Sequence, residues 1–232
     1  MSKSWNVIVS KLEDFKIRKG IHSFVNPYSM SLLEENFSVA NGIDYWYIDG
    51  ISLVNKINKI FGKRYNRTSF DNTSVAPRVF RFAKNNKLKL GIVGTKQEYI
   101  EKAINRIENG FSVKVSYFRN GYFADEKERN DCINAIIEAE IDIVVVGMGT
   151  PYQELFLIDL SLQGWSGYGF TCGGYLHQLA RKEKYYPLFF DKLNIRWLFR
   201  ILDEPRLLKR YAIDYPLFFL KFRKVKKRGD VN

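Results

Sequence analysis

The chain has almost nothing from which to build a covalent or metal framework. It holds two cysteines, Cys132 and Cys172, which make no disulfide scaffold or metal cluster and suit a reducing compartment. The pattern around them places Cys132 on a helix and Cys172 in a strand-end turn, as buried thiols. Nowhere do about 18 uncharged apolar residues run together, so no membrane-spanning helix is expected. The opening MSKSWNVIVSKLEDF is broken by charge and lacks the apolar core of a signal peptide. No G-x-G-x-x-G follows the first expected strand, which argues against a nicotinamide enzyme. Internal repeats and low-complexity segments are absent too. What remains is a soluble, intracellular chain.

The residues present allow a sizeable core. Hydrophobic residues make up 46% of 232, enough for one core and a small appendage. The net charge of +12 is unevenly spread. From Arg181 onward fifteen Lys and Arg face six Asp and Glu, a net +9, which leaves +3 for the first 180 residues. That asymmetry suits an anionic partner: membrane phosphates, a pyrophosphate or nucleic acid. A solvated basic tail without a partner is the plainer alternative.

Apolar runs alternate with helical periods from residue 21 to 172. Ile21 to Asn26 reads as a first strand and Pro27 to Val39 as a helix. Tyr45 to Ile48 is a second strand that ends in Asp49-Gly50, with Ile51 to Phe61 helical behind it. Lys63 to Ser74 is a polar loop holding Arg67, Ser69 and Asp71, and a helix over Ala76 to Ala83 follows. Lys87 to Val93 is a strand closed by Gly94, and Gln97 to Glu108 a helix. Phe111 to Phe118 alternates like a strand, and Glu126 to Ala139 is helical. A last strand near Gly167 to Thr171 ends in Gly173-Gly174. This alternation predicts an α/β fold, a modified Rossmann-like and largely parallel sheet with helices on both faces. Right-handed crossovers bring the carboxyl ends of all strands to one edge.

The most informative stretch is Ile141 to Leu157, IDIVVVGMGTPYQELFL. The β-branched run Ile143 to Val146 reads as a fully buried strand, Gly147 and Gly149 turn the chain, and Pro151 suits a first helical position. A buried strand that feeds a glycine turn and a helix start is where open α/β sheets bind ligands. Backbone amides there can hold a phosphate, with Gln153 and Glu154 as polar neighbours. An ordinary strand-to-helix turn is the competing reading of the same residues.

From Leu188 onward aromatic and aliphatic residues mix with Arg196, Arg200, Arg206, Lys209 and Arg210, and Arg223 to Arg228 is nearly all basic. Amphipathic segments of this kind lie in membrane interfaces. Packing on the main core is the alternative, and the two can serve different faces. The expected division is a core over 1–187 and an appendage over 188–232.

G-M-G-T-P-Y-Q-E resembles the G-x-G-x-P-x-Q-E signature of the WecG/TagA/CpsF glycosyltransferases, family 26. Further blocks resemble that family in order: Asn26, Ile48-Asp49-Gly50, Arg67 to Asp71, Gly91 to Ile104, Asn120 to Phe123, and Trp197, Arg200, Glu204-Pro205, Arg206 and Arg210-Tyr211. The resemblance implies inverting transfer from a UDP-sugar to a polyprenyl-diphosphate-linked saccharide. The place would be the cytoplasmic face of the membrane, in synthesis of a bacterial surface polysaccharide. Asp49 would then be the base, with Arg200, Arg206 and Arg210 stabilising the pyrophosphate. Asn26, Asp71, Gly94, Gly147, Gly149, Gln153, Glu154, Gly173 and His177 would form the substrate pocket. No cofactor is expected, and no D-x-D motif is present to hold a metal.

Several positions depart from the family pattern, among them Ser69 for a Gly in the Arg67 to Asp71 block and Arg196 for the Glu of L-E-W. His177 replaces an Asp near the nucleotide-base pocket, Phe24 stands where relatives often carry a small hydroxyl residue, and Tyr185-Tyr186-Pro187 replaces R-A-P. Competing readings are a catalytically dead scaffold of a polysaccharide-assembly complex and a basic nucleic-acid-binding protein. No nucleic-acid motif supports the second. The appendage can pack in cis or across a homo-oligomer interface.

Overall fold

The computed structural model describes residues 2–181 and 207–222. A first helix, α1 (Lys3–Ser10), precedes strand β1 (Gly20–Val25), α2 (Pro27–Leu32), α3 (Phe37–Gly42), β2 (Tyr45–Ile48) and α4 (Ile51–Phe61). Then come α5 (Ala76–Asn85), β3 (Leu90–Gly94), α6 (Gln97–Phe111), β4 (Val115–Arg119) and α7 (Glu126–Glu138). The central β5 (Ile143–Gly147), α8 (Tyr152–Leu162), β6 (Tyr168–Thr171) and α9 (Tyr175–Arg181) follow. The later segment is a π-helical turn, Arg210–Asp214, that runs into α10 (Tyr215–Phe222).

Among the described residues the strands form one sheet in the order β2-β1-β6-β5-β3-β4. Every pair is parallel. The fold is therefore the expected α/β layer structure, with all carboxyl ends on one edge. Side-chain alternation divides the core cleanly. Val144 and Val146 of β5 join α1, α2, α3, α4, α7, α8 and α10 on one face. Ile143 and Val145 join α5, α6 and α9 on the other. Because β5 is covered on both faces, it reads as an unbroken apolar run.

Four local readings differ from the structure. The single helix expected over Pro27 to Val39 is two, with a turn closed by the backbone bonds Glu34 N–H to Ser31 (3.2 Å) and Asn36 N–H to Leu33 (3.1 Å) and by the Asn36 side chain donating to the Leu32 carbonyl (2.8 Å). The N-terminal helix α1 was outside the β-α pattern, yet its Trp5 is buried and donates its indole N–H to the Met30 carbonyl (2.6 Å). Phe111 ends α6, and the strand starts only at Val115. Pro151 sits just before α8, after a cis peptide bond, instead of at the first helical position. Cys132 on α7 and Cys172 after β6 are buried free thiols, as expected.

The described part of the appendage packs on the core in cis. Phe218 and Phe222 are buried against Trp5, at ring-centroid distances of 5.2 Å and 5.6 Å. Lys221 adds an exposed pair with Glu34 at 2.8 Å. Tyr185-Tyr186-Pro187, Arg196, Trp197, Arg200, Glu204-Pro205, Arg206 and the basic run Arg223 to Arg228 lie outside the described residues.

Candidate active site

The carboxyl edge of the sheet opens into a cavity of about 1930 Å³. Its closely packed floor depends on Gly94, where a Cβ would stand 2.6 Å from the Gly147 carbonyl oxygen and φ is +154°. A side chain there would push β3 from β5. Gly149 has φ +78° and faces open space, a left-handed conformation that leaves the loop backbone bare toward the cavity. Asn26, Asp49, Asp71, Gly147, Gly149, Gln153, Gly173, His177 and Arg210 all line this cavity. Residues more than 180 positions apart thus share one site, and the parallel topology puts them there. Gly94 and Glu154 stand behind the wall.

At the β2 end the groups are charged and open. Asp49 follows β2 directly, and its backbone N–H donates to the Val25 carbonyl (2.7 Å), which fixes it beside Asn26. Arg67 donates to both carboxylates, at 3.1 Å to Asp49 and 3.0 Å to Asp71. The Asp49 and Arg67 side chains are 32% and 26% exposed. Asp71 also accepts from the Thr73 backbone N–H (2.8 Å) and hydroxyl (2.7 Å). It turns its own loop, and α5 has no side-chain cap. Asn26 caps α2, accepting from the Tyr28 and Ser29 backbone N–H groups at 3.0 Å and 3.1 Å. Its carboxamide NH₂ remains directed by that anchored oxygen.

The centre of the floor is the opposite. Glu154 is 1% exposed. Its Oε1 accepts from Ser23 (2.8 Å), Gln153 (3.0 Å) and Thr150 (3.2 Å). Thr171 donates to Ser23 at 3.0 Å, and Gln153 accepts from the Gly173 backbone N–H at 3.0 Å. Glu154 Oε2 meets no hydrogen-bond partner among the described residues. Burial pushes the Glu154 carboxyl up, against the smaller pull of these hydrogen bonds. This network ties β1, β6, α8 and the glycine loop together beneath the cavity.

The roof comes from the C-terminal segment. Leu207, Lys209, Arg210, Tyr211, Asp214 and Tyr215 line the cavity. The Arg210 guanidinium lies 3.8 Å above the centre of the Tyr28 ring, a cation–π contact that ties the segment to α2. His177 meets Tyr99 edge-on at 4.5 Å. Sequence reasoning did not single out Tyr28, which has no local signal. It also passed over Arg67 as a site residue, although the i,i+4 spacing of Arg67 and Asp71 in a polar loop was a usable sign.

Among the described residues no group of three or more His, Cys, Asp and Glu stands ready to hold a metal ion. The site offers a carboxylate beside a cation and a cradle of bare backbone in one cleft. That set fits group transfer to a hydroxyl from an anionic leaving group.

Comparison with known proteins supports the same chemistry. A sequence model of the Glycosyl transferase WecG/TagA/CpsF family matches residues 1–231. A relative from Shigella boydii is 36% identical over 215 residues, which is 92% of this chain and 90% of the relative. Its name is UDP-Gal:alpha-D-GlcNAc-diphosphoundecaprenol beta-1,4-galactosyltransferase. On sequence, motif order and fold together, the chain belongs to the WecG/TagA/CpsF family of glycosyltransferases.

Proposed function

We propose that this protein transfers a hexosyl group from a UDP-sugar to a polyprenyl-diphosphate-linked saccharide, with inversion at the anomeric carbon. The observation that carries the reading is Asp49, cavity-lining and held by Arg67 at 3.1 Å, in a chain so similar to the Shigella boydii galactosyltransferase. Asp49 takes the proton of the acceptor hydroxyl as its oxygen attacks the anomeric carbon. The carbon–oxygen bond to the diphosphate breaks, and its electron pair leaves with UDP. One displacement on the face opposite the leaving group gives inversion.

Charge developing on the departing diphosphate needs cations and oriented amides. Arg210 supplies one cation from the roof, and the bare Gly149 loop supplies backbone. Arg200 and Arg206 are proposed to join Arg210, and this leaving-group stabilisation needs no metal. Gln153, Gly173, Asn26, Asp71 and His177 line the cavity and are proposed to bind the donor and acceptor.

Because the proposed acceptor carries a lipid, we propose that the protein works at a membrane surface, the inner face of the cell membrane. Leu208, Ile213, Leu217 and Leu220 are 56%, 49%, 53% and 57% exposed, beside Lys209 and Lys221. Apolar residues flanked by lysines suit an anionic interface. Among the described residues no helix is long and apolar enough to cross a membrane.

A mass-spectrometric transfer assay tests the reading. Purified protein would meet a panel of UDP-sugars and a short-chain lipid-diphosphate N-acetylglucosamine, with and without EDTA. One new hexose mass on the acceptor, unchanged by EDTA, is the expected result. No product from any donor, with no UDP binding, would overturn it.

A further inference from the structure

We infer that Trp5 is a positioning residue: helix α1 seats the C-terminal segment through it and so holds Arg210 over the cavity. This rests on the transferase reading above. Helix α1 precedes the first strand and belongs to no strand–helix unit. Its Trp5 is nonetheless 2% exposed and meets two elements at once. The indole N–H donates to the Met30 carbonyl on α2 at 2.6 Å. The same ring packs on Phe218 and Phe222 of α10, at 5.2 Å and 5.6 Å. Those two phenylalanines stack on each other at 5.1 Å, and both are buried.

A short path leads from that cluster to the cavity. The π-helical turn Arg210–Asp214 runs directly into α10, so Arg210 stands about two helical turns before Phe218. Both the turn and α10 lie against α2. Helix α2 presents the Met30 carbonyl to Trp5 and the Tyr28 ring to Arg210, whose guanidinium sits 3.8 Å above it. Asn26, at the cavity wall, caps the same helix. One helix therefore joins the seat, the cation and the site.

The attachments differ in strength. Arg210 and Tyr28 both line the open cavity, and a cation–π contact beside water is weak. Lys221 and Glu34 form a pair whose lysine is 63% exposed, which adds little. Two phenylalanines buried against a tryptophan contribute far more. Among the described residues, the seat at Trp5 sets where the segment lies, and Arg210 is carried into place by it.

A double-mutant cycle on the full chain tests this. Phe218→Ala opens the seat, and Arg210→Met removes the cation. The readouts are the UDP dissociation constant and single-turnover transfer from UDP-galactose to the short-chain lipid-diphosphate N-acetylglucosamine, with melting temperatures alongside. Each single variant should weaken UDP about tenfold and slow transfer about thirtyfold. The double variant should stay within about twofold of Arg210→Met, because a cation already gone cannot be misplaced. Trp5→Leu should match Phe218→Ala. Trp5→Phe, which keeps a ring at the seat, should bind UDP within about threefold of wild type. Losses that multiply in the double variant would mean that the seat only stabilises the fold, and would overturn the inference. So would a Trp5→Leu or Phe218→Ala protein that binds UDP like wild type. If Phe218→Ala does not fold, Phe218→Leu takes its place in the cycle, and multiplying losses overturn the inference there too. A wild type that neither binds UDP nor transfers would sink the transferase reading, and the inference with it.

Discussion

Asp49 and Glu154 are two carboxyl groups at the same edge of the same sheet, in opposite surroundings. Asp49 is a third exposed and paired with a guanidinium at 3.1 Å. Glu154 is 1% exposed and bonded only to neutral groups, from Ser23, Thr150 and Gln153. A group that must take a proton from a substrate needs access and a charge to settle beside. A carboxyl sealed among neutral donors favours its uncharged form and serves as a node of hydrogen bonds. Under the proposed reading, the contrast separates the end of the cavity assigned to chemistry from the floor that gives it shape.

That contrast can be broken at several points. Gly94→Ala strikes the floor hardest, since its Cβ would meet the Gly147 carbonyl oxygen at 2.6 Å. We expect a loss of about 4 kcal/mol in denaturant unfolding, with strand separation as the cause. Glu154→Ala should cost about 3 kcal/mol because it strands buried donors. Glu154→Gln keeps the shape and should cost far less.

The pH dependence of that pair has a definite sign. A carboxyl raised on folding binds more protons in the native than in the unfolded state, so its contribution is full below its unfolded value and is lost as pH rises. Melting curves from pH 5 upward should therefore show Glu154→Gln gaining on wild type as pH rises. A constant difference would mean that Glu154 is ionised in the fold, and the contrast with Asp49 would fail.

Arg67→Met should lower kcat about thirtyfold, because Asp49 loses the contact that aims it, with a stability loss of about 1 kcal/mol from carboxylates that are 32% and 13% exposed. Steady-state rates beside melting curves would check both parts. The smallest effect is expected at Lys221→Ala. Its bond to Glu34 raises the Lys221 pKa, but the Lys221 side chain is 63% exposed, so no measurable shift in melting temperature should follow.

Much of this arrangement is legible in the sequence, for physical reasons. Asn26, Asp49, Gly94, Gly147 and Gly173 end or follow apolar runs, and in a parallel sheet every such end reaches one edge. The buried run Ile143 to Val146 and the glycine turn after it reveal the centre of the site directly. What escapes are contacts across long separations. Ser23 and Glu154 are 131 residues apart when they bond, and no local pattern marks Glu154 as sealed behind Gln153. Tyr28 beneath Arg210 and the aromatic stack behind Phe24 are likewise made by the packing of distant elements. The break between α2 and α3 is a short turn of backbone and Asn36 side-chain bonds, which helical periodicity does not register. Arg200 and Arg206, expected beside Arg210, lie outside the described residues.

The most direct test of the account measures UDP-galactose binding and single-turnover transfer side by side in wild type and Asp49→Asn. If Asp49 is the base and the floor holds the donor independently, the variant should bind the donor within about threefold of wild type while its transfer rate falls about a thousandfold. A variant that binds and transfers like wild type would contradict the assignment of chemistry to the open end of the cavity.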